Sequence, residues 1–368
     1  MNISANISLD PMVKCKEPTS PWFIVYTIFL VLILLGTLFG NGLVVLAVFM
    51  FARLRRVSNL FIVSLAISDL LVALVMLPLR IDQSVHNMNW CLPKNACIFW
   101  VSTDGIWSAA SICNLTIISI DRFLAITRPF IYQEKMTKKV CLILITIVWS
   151  YSILWGLLSL VNWTTGGTDT NWVYVSPNTG ELQCGKGDPV YYTSTLVCAI
   201  LLPLVIVIVT YTSIFKIALA QSKALASHDP NKRGHKRSLR ELKATKTIAI
   251  VIGAFVVCWL PFIIIVFISM WCPHDCFKSF VKYPEFSLAI RIPFVFVLPI
   301  LNSSVNPIIY GLYNKEFQDA FRKLLLPNKP HRRSDYLEEY SCNEASNLRR
   351  STIDSNSNRR ANMNGSKI

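Results

Sequence analysis

Three carboxylates stand inside long apolar stretches of this chain: Asp69 in SLAISDLL (64–71), Asp104 in WVSTDGIWSAAS (100–111) and Asp121 in DRF (121–123). An ionised side chain at membrane depth costs roughly 3 kcal/mol or more, so a face carrying such groups must look into the protein or a water-filled cavity. On a helical wheel Cys97, Asp104 and Ser111 recur every seven residues and drift by only about 20° per step. Asp104 and Arg122 are about five turns apart on one face, about 27 Å from end to end. Trp100 lies one turn above Asp104, and Trp107 and Ser108 are close along the chain. A carboxylate among aromatic faces suits an ammonium group, through ion pairing and cation–π attraction. The competing reading ties Asp104 to an internal polar group for packing. Arg80, in MLPLR (76–80), is the better internal rival, because Arg291 lies nearer the outer surface. No clustered nucleophile, base and orienting group supports an enzyme.

The elements that must position these residues are membrane helices. The 368 residues are 53% hydrophobic and only 15% charged, with the apolar residues gathered in blocks, unlike a soluble domain of this length. Seven blocks, near 22–51, 58–86, 96–127, 139–161, 189–220, 242–271 and 284–312, each reach the roughly 20 residues a spanning helix needs. Backbone groups in hydrocarbon are satisfied by helices or closed barrels, and uninterrupted runs favour helices. The expectation is an all-α seven-transmembrane helix bundle.

Cations cluster after the first, third and fifth spans, which puts those loops and the C-terminus inside and the N-terminus outside. The net charge of +15 then reflects topology and the anionic inner leaflet, with no need for nucleic acid. The sequons at Asn2, Asn6 and Asn162 fall on the predicted outer side. No cleavable signal peptide is evident, so the first span serves as the targeting signal. Residues 1–21 read as a glycosylated extracellular N-terminus and 22–326 as the membrane domain. Within it, 314–326 form a short amphipathic surface helix, with Phe317, Phe321 and Leu324 on one side. Residues 327–368, rich in Ser, Asn and Arg, read as a disordered cytoplasmic tail. Six of the eleven cysteines (15, 91, 97, 184, 272, 276) fall on the oxidising side, where several pairings are open. Cys113, Cys141, Cys198 and Cys258 lie within spans and read as small core hydrophobes.

Together these residues resemble the rhodopsin-like (class A) G-protein-coupled receptors over about residues 22–326. The resemblance rests on GNGLVV with Asn41, SLAISDLL with Asp69, DRF, Trp149, Pro203, CWLPF (258–262) and NPIIY (306–310), in order along all seven spans. It implies localisation at the plasma membrane and coupling to a heterotrimeric G protein. It also implies a sodium ion in a central polar cluster of Asp69, Ser111, Asn302, Ser303 and Asn306. The inner switch is implied to involve Asp121 and Arg122, with Glu241 as the resting partner of Arg122, together with Trp259, Asn306, Pro307 and Tyr310. Pro203, Pro261 and Pro307 kink their spans, with Pro293 and Pro299 as further breaks in the seventh. A Cys97–Cys184 bridge follows from the resemblance, Cys272–Cys276 is a further expected pair, and the pairing of Cys15 and Cys91 stays open.

Within the class, the chain is similar to the biogenic-amine receptors. Asp104 stands at their amine-binding aspartate, Trp259 and Phe262 at their aromatic floor and wall, and Thr195 where a polar ring substituent is met. Trp100, Ser108 and Phe296 complete the expected site for a small protonated amine. Departures are Ile263, Val297 and Ile300, the last replacing a tyrosine that braces the aspartate. Leu196 and Ala199 replace serines, which favours an indole or imidazole amine over a catecholamine. A peptide receptor using Asp104 for a cationic side chain is the alternative. An ion or solute transporter is remote, since no half-chain repeat is evident; nor is there a lysine between Pro284 and Tyr310 for retinal. Tail hydroxyls at Ser334, Ser341, Ser346 and in RRST (349–352) are expected to serve a receptor kinase and an arrestin. The surface helix lacks the usual terminal cysteine for lipidation; Cys342 lies well beyond it.

Overall fold

A computed structural model describes residues 15, 21–164, 172–175, 182–186, 188–226, 250, 253–268, 271–272 and 289–326. Six helices are long and apolar enough to cross a membrane: Pro21–Met50, Val57–Val85, Lys94–Thr127, Lys138–Leu158, Pro189–Ile217 and Ala289–Tyr313. They fall within a few residues of six expected blocks. The helix Gly253–Ile268 is the described core of the expected sixth span. The expected sites at Asn2, Asn6, Glu241, Cys276 and the tail hydroxyls lie outside the described residues.

Local chemistry starts several helices. Pro21 and Pro189 occupy first turns, where a missing N–H costs nothing. Asp188 caps the fifth span by accepting from the Val190 and Tyr191 backbones, and Thr137 caps the fourth by accepting from Val140. Large apolar side chains such as Leu32, Leu35, Phe39, Ile143, Ile147, Val205 and Val209 face outward. In water such a belt would aggregate; against lipid it is the expected surface. The third span is the most enclosed, packing on the second, fourth and fifth. Cys141 and Cys258 are buried as expected, but Cys198 faces outward with Val197 and Leu202 and is no core residue.

Three spans widen into a π turn: Val72–Met76, Leu196–Leu201 and Ile292–Val297. Each ends two residues before a proline: Pro78, Pro203 and Pro299. A proline ring clashes with the carbonyl four residues back, here Leu74, Ala199 or Val295, and donates no hydrogen bond to it. Widening the turn relieves that clash and rotates the helix above it. Pro203 and Pro299 were expected breaks; the Pro78 turn was not. Pro307 is carried inside its helix, and a β-carbon on Gly40 would lie 2.9 Å from its ring, so the first and seventh spans meet through glycine.

The end of the bundle bearing Cys97, here the upper end, carries an unexpected antiparallel pair, β1 (Val173–Val175) and β2 (Leu182–Cys184). Cys97–Cys184 fastens β2 to the third span, and Cys15–Cys91 is also bridged. Cys272 is disulfide-bonded, while its expected partner lies outside the described residues. Leu182 exchanges backbone contacts with Trp90 (2.7 Å) and the Asn89 side chain (2.9 Å), extending the roof. At the lower end, the helix Lys315–Leu325 follows the seventh span; Phe317 is buried on Tyr310, and Glu316 pairs with Arg56 at 3.1 Å.

Candidate functional site

Beneath the β1–β2 roof the upper end opens into a cavity of about 340 Å³. Its walls include all seven residues expected from the sequence: Trp100, Asp104, Ser108, Thr195, Trp259, Phe262 and Phe296. They come from the third, fifth, sixth and seventh spans. Val72 and Met76, Leu196 and Ile200, and Val295 and Phe296 bring all three π turns to the lining of this one cavity.

Asp104 is exposed to this cavity. Among the described residues, no hydrogen bond or ion pair holds its carboxylate. The rival Arg80 is engaged elsewhere: it bonds the Gln83 side chain at 2.7 Å, and its guanidinium lies 4.6 Å from the Trp100 ring and 4.4 Å from the Phe296 ring. Trp100 also stacks on Trp90 at 5.1 Å, so its ring already serves the protein's own cation. The aromatic surfaces left on the floor are Trp259 and Phe262, in edge contact at 5.5 Å, with Phe255 stacked beneath Trp259 at 5.8 Å. Thr195, on the fifth span, has a buried hydroxyl without a hydrogen-bond partner among the described residues. Ile300 also lines the cavity and offers Asp104 no hydroxyl.

Four polar wall residues, Tyr174, Lys186, Tyr191 and Tyr192, were not expected from the sequence. Tyr191 and Tyr192 open the fifth span at the depth of Asp104, a signal available in the adjacent aromatics. Tyr191 donates to the Trp155 carbonyl at 3.2 Å, and a β-carbon at Gly105 would come within 3.2 Å of that hydroxyl. Tyr174 comes from the β1 strand; burial raises its hydroxyl above the usual range, while Arg291 works the other way. Lys186 is only 1% exposed. Its ammonium donates to the Ser159 carbonyl at 2.7 Å and to that of Val161, closing the end of the fourth span as a basic cap. Nothing in a polar loop sequence marks a lysine for burial.

Ser111, Asn302 and Ser303 line the cavity on the way to the expected central cluster. There Asn306 donates to Asp69 Oδ2 at 2.9 Å, and Asn41 donates to the Ser303 carbonyl at 2.9 Å. Asp69 Oδ1, Ser111 Oγ and Asn41 Oδ1 are buried without a partner among the described residues. Unsatisfied oxygens in a set containing one carboxylate fit a hard monovalent cation. No group of three His, Cys, Asp or Glu side chains placed for a metal ion occurs among the described residues.

At the lower end, Arg122 pairs with its neighbour Asp121 at 3.4 Å. Tyr132, on the helix Pro129–Lys135 after the third span, donates to the other Asp121 oxygen at 2.7 Å. Burial and the Asp121 contact push the Tyr132 hydroxyl above its usual range, so it remains a donor. Sequence reasoning did not connect Tyr132 to this pair. Tyr310 is buried at the end of the seventh span, stacked on Phe317 at 5.6 Å.

With this geometry in view, the chain matches the 7 transmembrane receptor (rhodopsin family) pattern over residues 40–310. It is 38% identical over 319 residues to a D(1B) dopamine receptor of Xenopus laevis, covering 80% of this chain and 68% of the relative. A D(1A) dopamine receptor of the same organism is 35% identical over 348 residues, covering 86% and 76%. A D(1B) dopamine receptor of Homo sapiens is 34% identical over 348 residues, covering 84% and 71%.

Proposed function

The chain belongs to the rhodopsin family of seven-transmembrane receptors, and on that premise we propose that it binds a small protonated amine through Asp104 and activates a heterotrimeric G protein. One observation carries the reading: of the aspartates in the described spans, Asp69, Asp82, Asp104 and Asp121, Asp104 alone lines the cavity, and no hydrogen bond or ion pair from the described chain holds it. An ammonium would supply the missing charge, with Trp259 and Phe262 beneath it and Thr195 opposite. The cavity lies at the small end of the range for small-molecule sites, which favours an amine over a peptide.

The same proposal assigns Asp69, Ser111, Asn302, Ser303 and Asn306 to a sodium ion. Arg122, released from Asp121 and Glu241, serves as the inner switch together with Trp259, Asn306, Pro307 and Tyr310. A ligand acts by preferring the open arrangement of that switch. The receptor sits in the plasma membrane with its N-terminus outside, glycosylated at Asn2, Asn6 and Asn162, and its tail meets a receptor kinase and an arrestin.

The test is a second-messenger panel in transfected cells with dopamine, tryptamine, tyramine and histamine. Relatives named as dopamine receptors put dopamine in the panel, while the single fifth-span hydroxyl at Thr195 keeps the indole and imidazole amines beside it. Asp104→Asn is expected to reach the cell surface and lose the response; retained potency would sink the reading.

A further inference from the structure

The cavity holds a second charged group that an amine leaves unused. Arg80 lines it together with Asp104. Around Arg80 the upper wall forms a ladder drawn from three spans and the loop carrying Trp90. Trp90 stacks on Trp100, Arg80 lies against both Trp100 and Phe296, and the Arg291 guanidinium lies 5.5 Å from the same Phe296 ring.

Aromatic faces fix the plane of a guanidinium but accept few of its five N–H donors. Gln83 takes one Arg80 donor at 2.7 Å, and Arg80 Nε is buried without a partner among the described residues. No carboxylate forms an ion pair with Arg80 among the described residues; Asp104 in particular does not. The other cation on the wall, Lys186, is committed to the Ser159 and Val161 carbonyls. One cavity therefore presents a carboxylate and a guanidinium near enough to feel one another's charge, yet joined by no ion pair or hydrogen bond among the described residues. Burying either without a counter-charge is unfavourable. A simple amine answers Asp104 and brings a further positive charge towards Arg80.

We infer that the cavity is built for a zwitterion, an aromatic amino acid whose ammonium pairs with Asp104 and whose carboxylate is received by Arg80. The aromatic side chain then lies on Trp259 and Phe262. A planar guanidinium held between two rings suits the two oxygens of a carboxylate, which it can meet with parallel N–H donors. This inference rests on the reading of Asp104 as the ammonium anchor.

The full-length receptor in cells, with surface expression measured in parallel, separates the two. The probes are matched pairs differing by one carboxylate: dopamine and DOPA, tyramine and tyrosine, tryptamine and tryptophan, histamine and histidine. The carboxylated member is expected to be more potent in at least one pair, by roughly tenfold, the scale of one charge-assisted contact. Arg80→Gln should remove that advantage, bringing the potency ratio within the pair to one or below whatever it does to the amine member's own potency. Arg80→Lys should restore part of it, since charge returns without the planar fork. If Arg80→Gln does not reach the surface, the pairs on the unmodified receptor decide. Greater potency of the plain amine in every pair overturns the zwitterion while leaving the anchor intact, provided Asp104→Asn abolishes those responses. An unchanged response in Asp104→Asn, or no response to any member, overturns both readings.

Discussion

The upper cavity and the lower end of the third span each contain an acidic side chain close to an arginine, yet they treat it in opposite ways. At the lower end Asp121 takes both its partners from the chain: Arg122 lies 3.4 Å from Oδ2, an ion pair without a hydrogen bond, and Tyr132 donates to Oδ1 at 2.7 Å. At the upper end Asp104 and Arg80 share a wall without pairing, and Arg80 is turned instead against Trp100 and Phe296. A charge whose partners come from the chain stabilises one conformation. A charge left short beside a cavity is satisfied only when something enters. The central cluster stands between these cases, with one Asp69 oxygen bonded to Asn306 and the other unpartnered.

This contrast is broken most severely by Asp104→Asn. Removing one member of a buried ligand ion pair costs about 2–5 kcal/mol, so amine affinity should fall roughly 100-fold in competition binding while thermal stability stays near that of the parent. Stability that falls along with affinity would place Asp104 in the same class as Asp121. The zwitterion pairs and Arg80→Gln sharpen the upper half of the comparison, at roughly tenfold. Asp69→Asn addresses the intermediate case. If its free oxygen holds sodium, agonist affinity in the parent should fall by about fivefold or more on replacing N-methylglucamine with sodium, and the variant should lose that sensitivity. An unaltered salt response would return the cluster to plain packing. Tyr132→Phe is the mildest change. It removes one hydrogen bond to Asp121, worth about 0.5–1.5 kcal/mol, and should raise basal signalling and lower the melting temperature of the purified receptor slightly. No change in either would mean that Arg122 alone holds Asp121.

Much of this was legible before any coordinates. Helical spacing put Asp104 and Ser111 on one inward face, and both line the cavity. The resemblance supplied Trp259 and Phe262, which line the cavity, and the Cys97–Cys184 pair, which is bridged. Arg80 was visible as a possible partner for Asp104, but its actual neighbours were not. Phe296 lies more than two hundred positions away, on a span whose rotation depends on the π turn before Pro299. The Trp90–Trp100 stack and the burial of Lys186 depend on loops, whose composition says nothing of where they fold back. Cys198 was misjudged for a related reason: an apolar residue in a span carries no mark of whether it faces protein or lipid.

By itself the sequence determined the number of spans, their approximate limits and the depth of each polar group, because helix periodicity and the cost of charge in hydrocarbon are local properties. The tertiary structure decided which of those groups meet. That depends on the rotation of one helix against another, set here by three proline-linked π turns, the Gly40–Pro307 contact and the bridged roof. Asp121 thereby acquires its partners from the chain, and Asp104 is left facing the cavity.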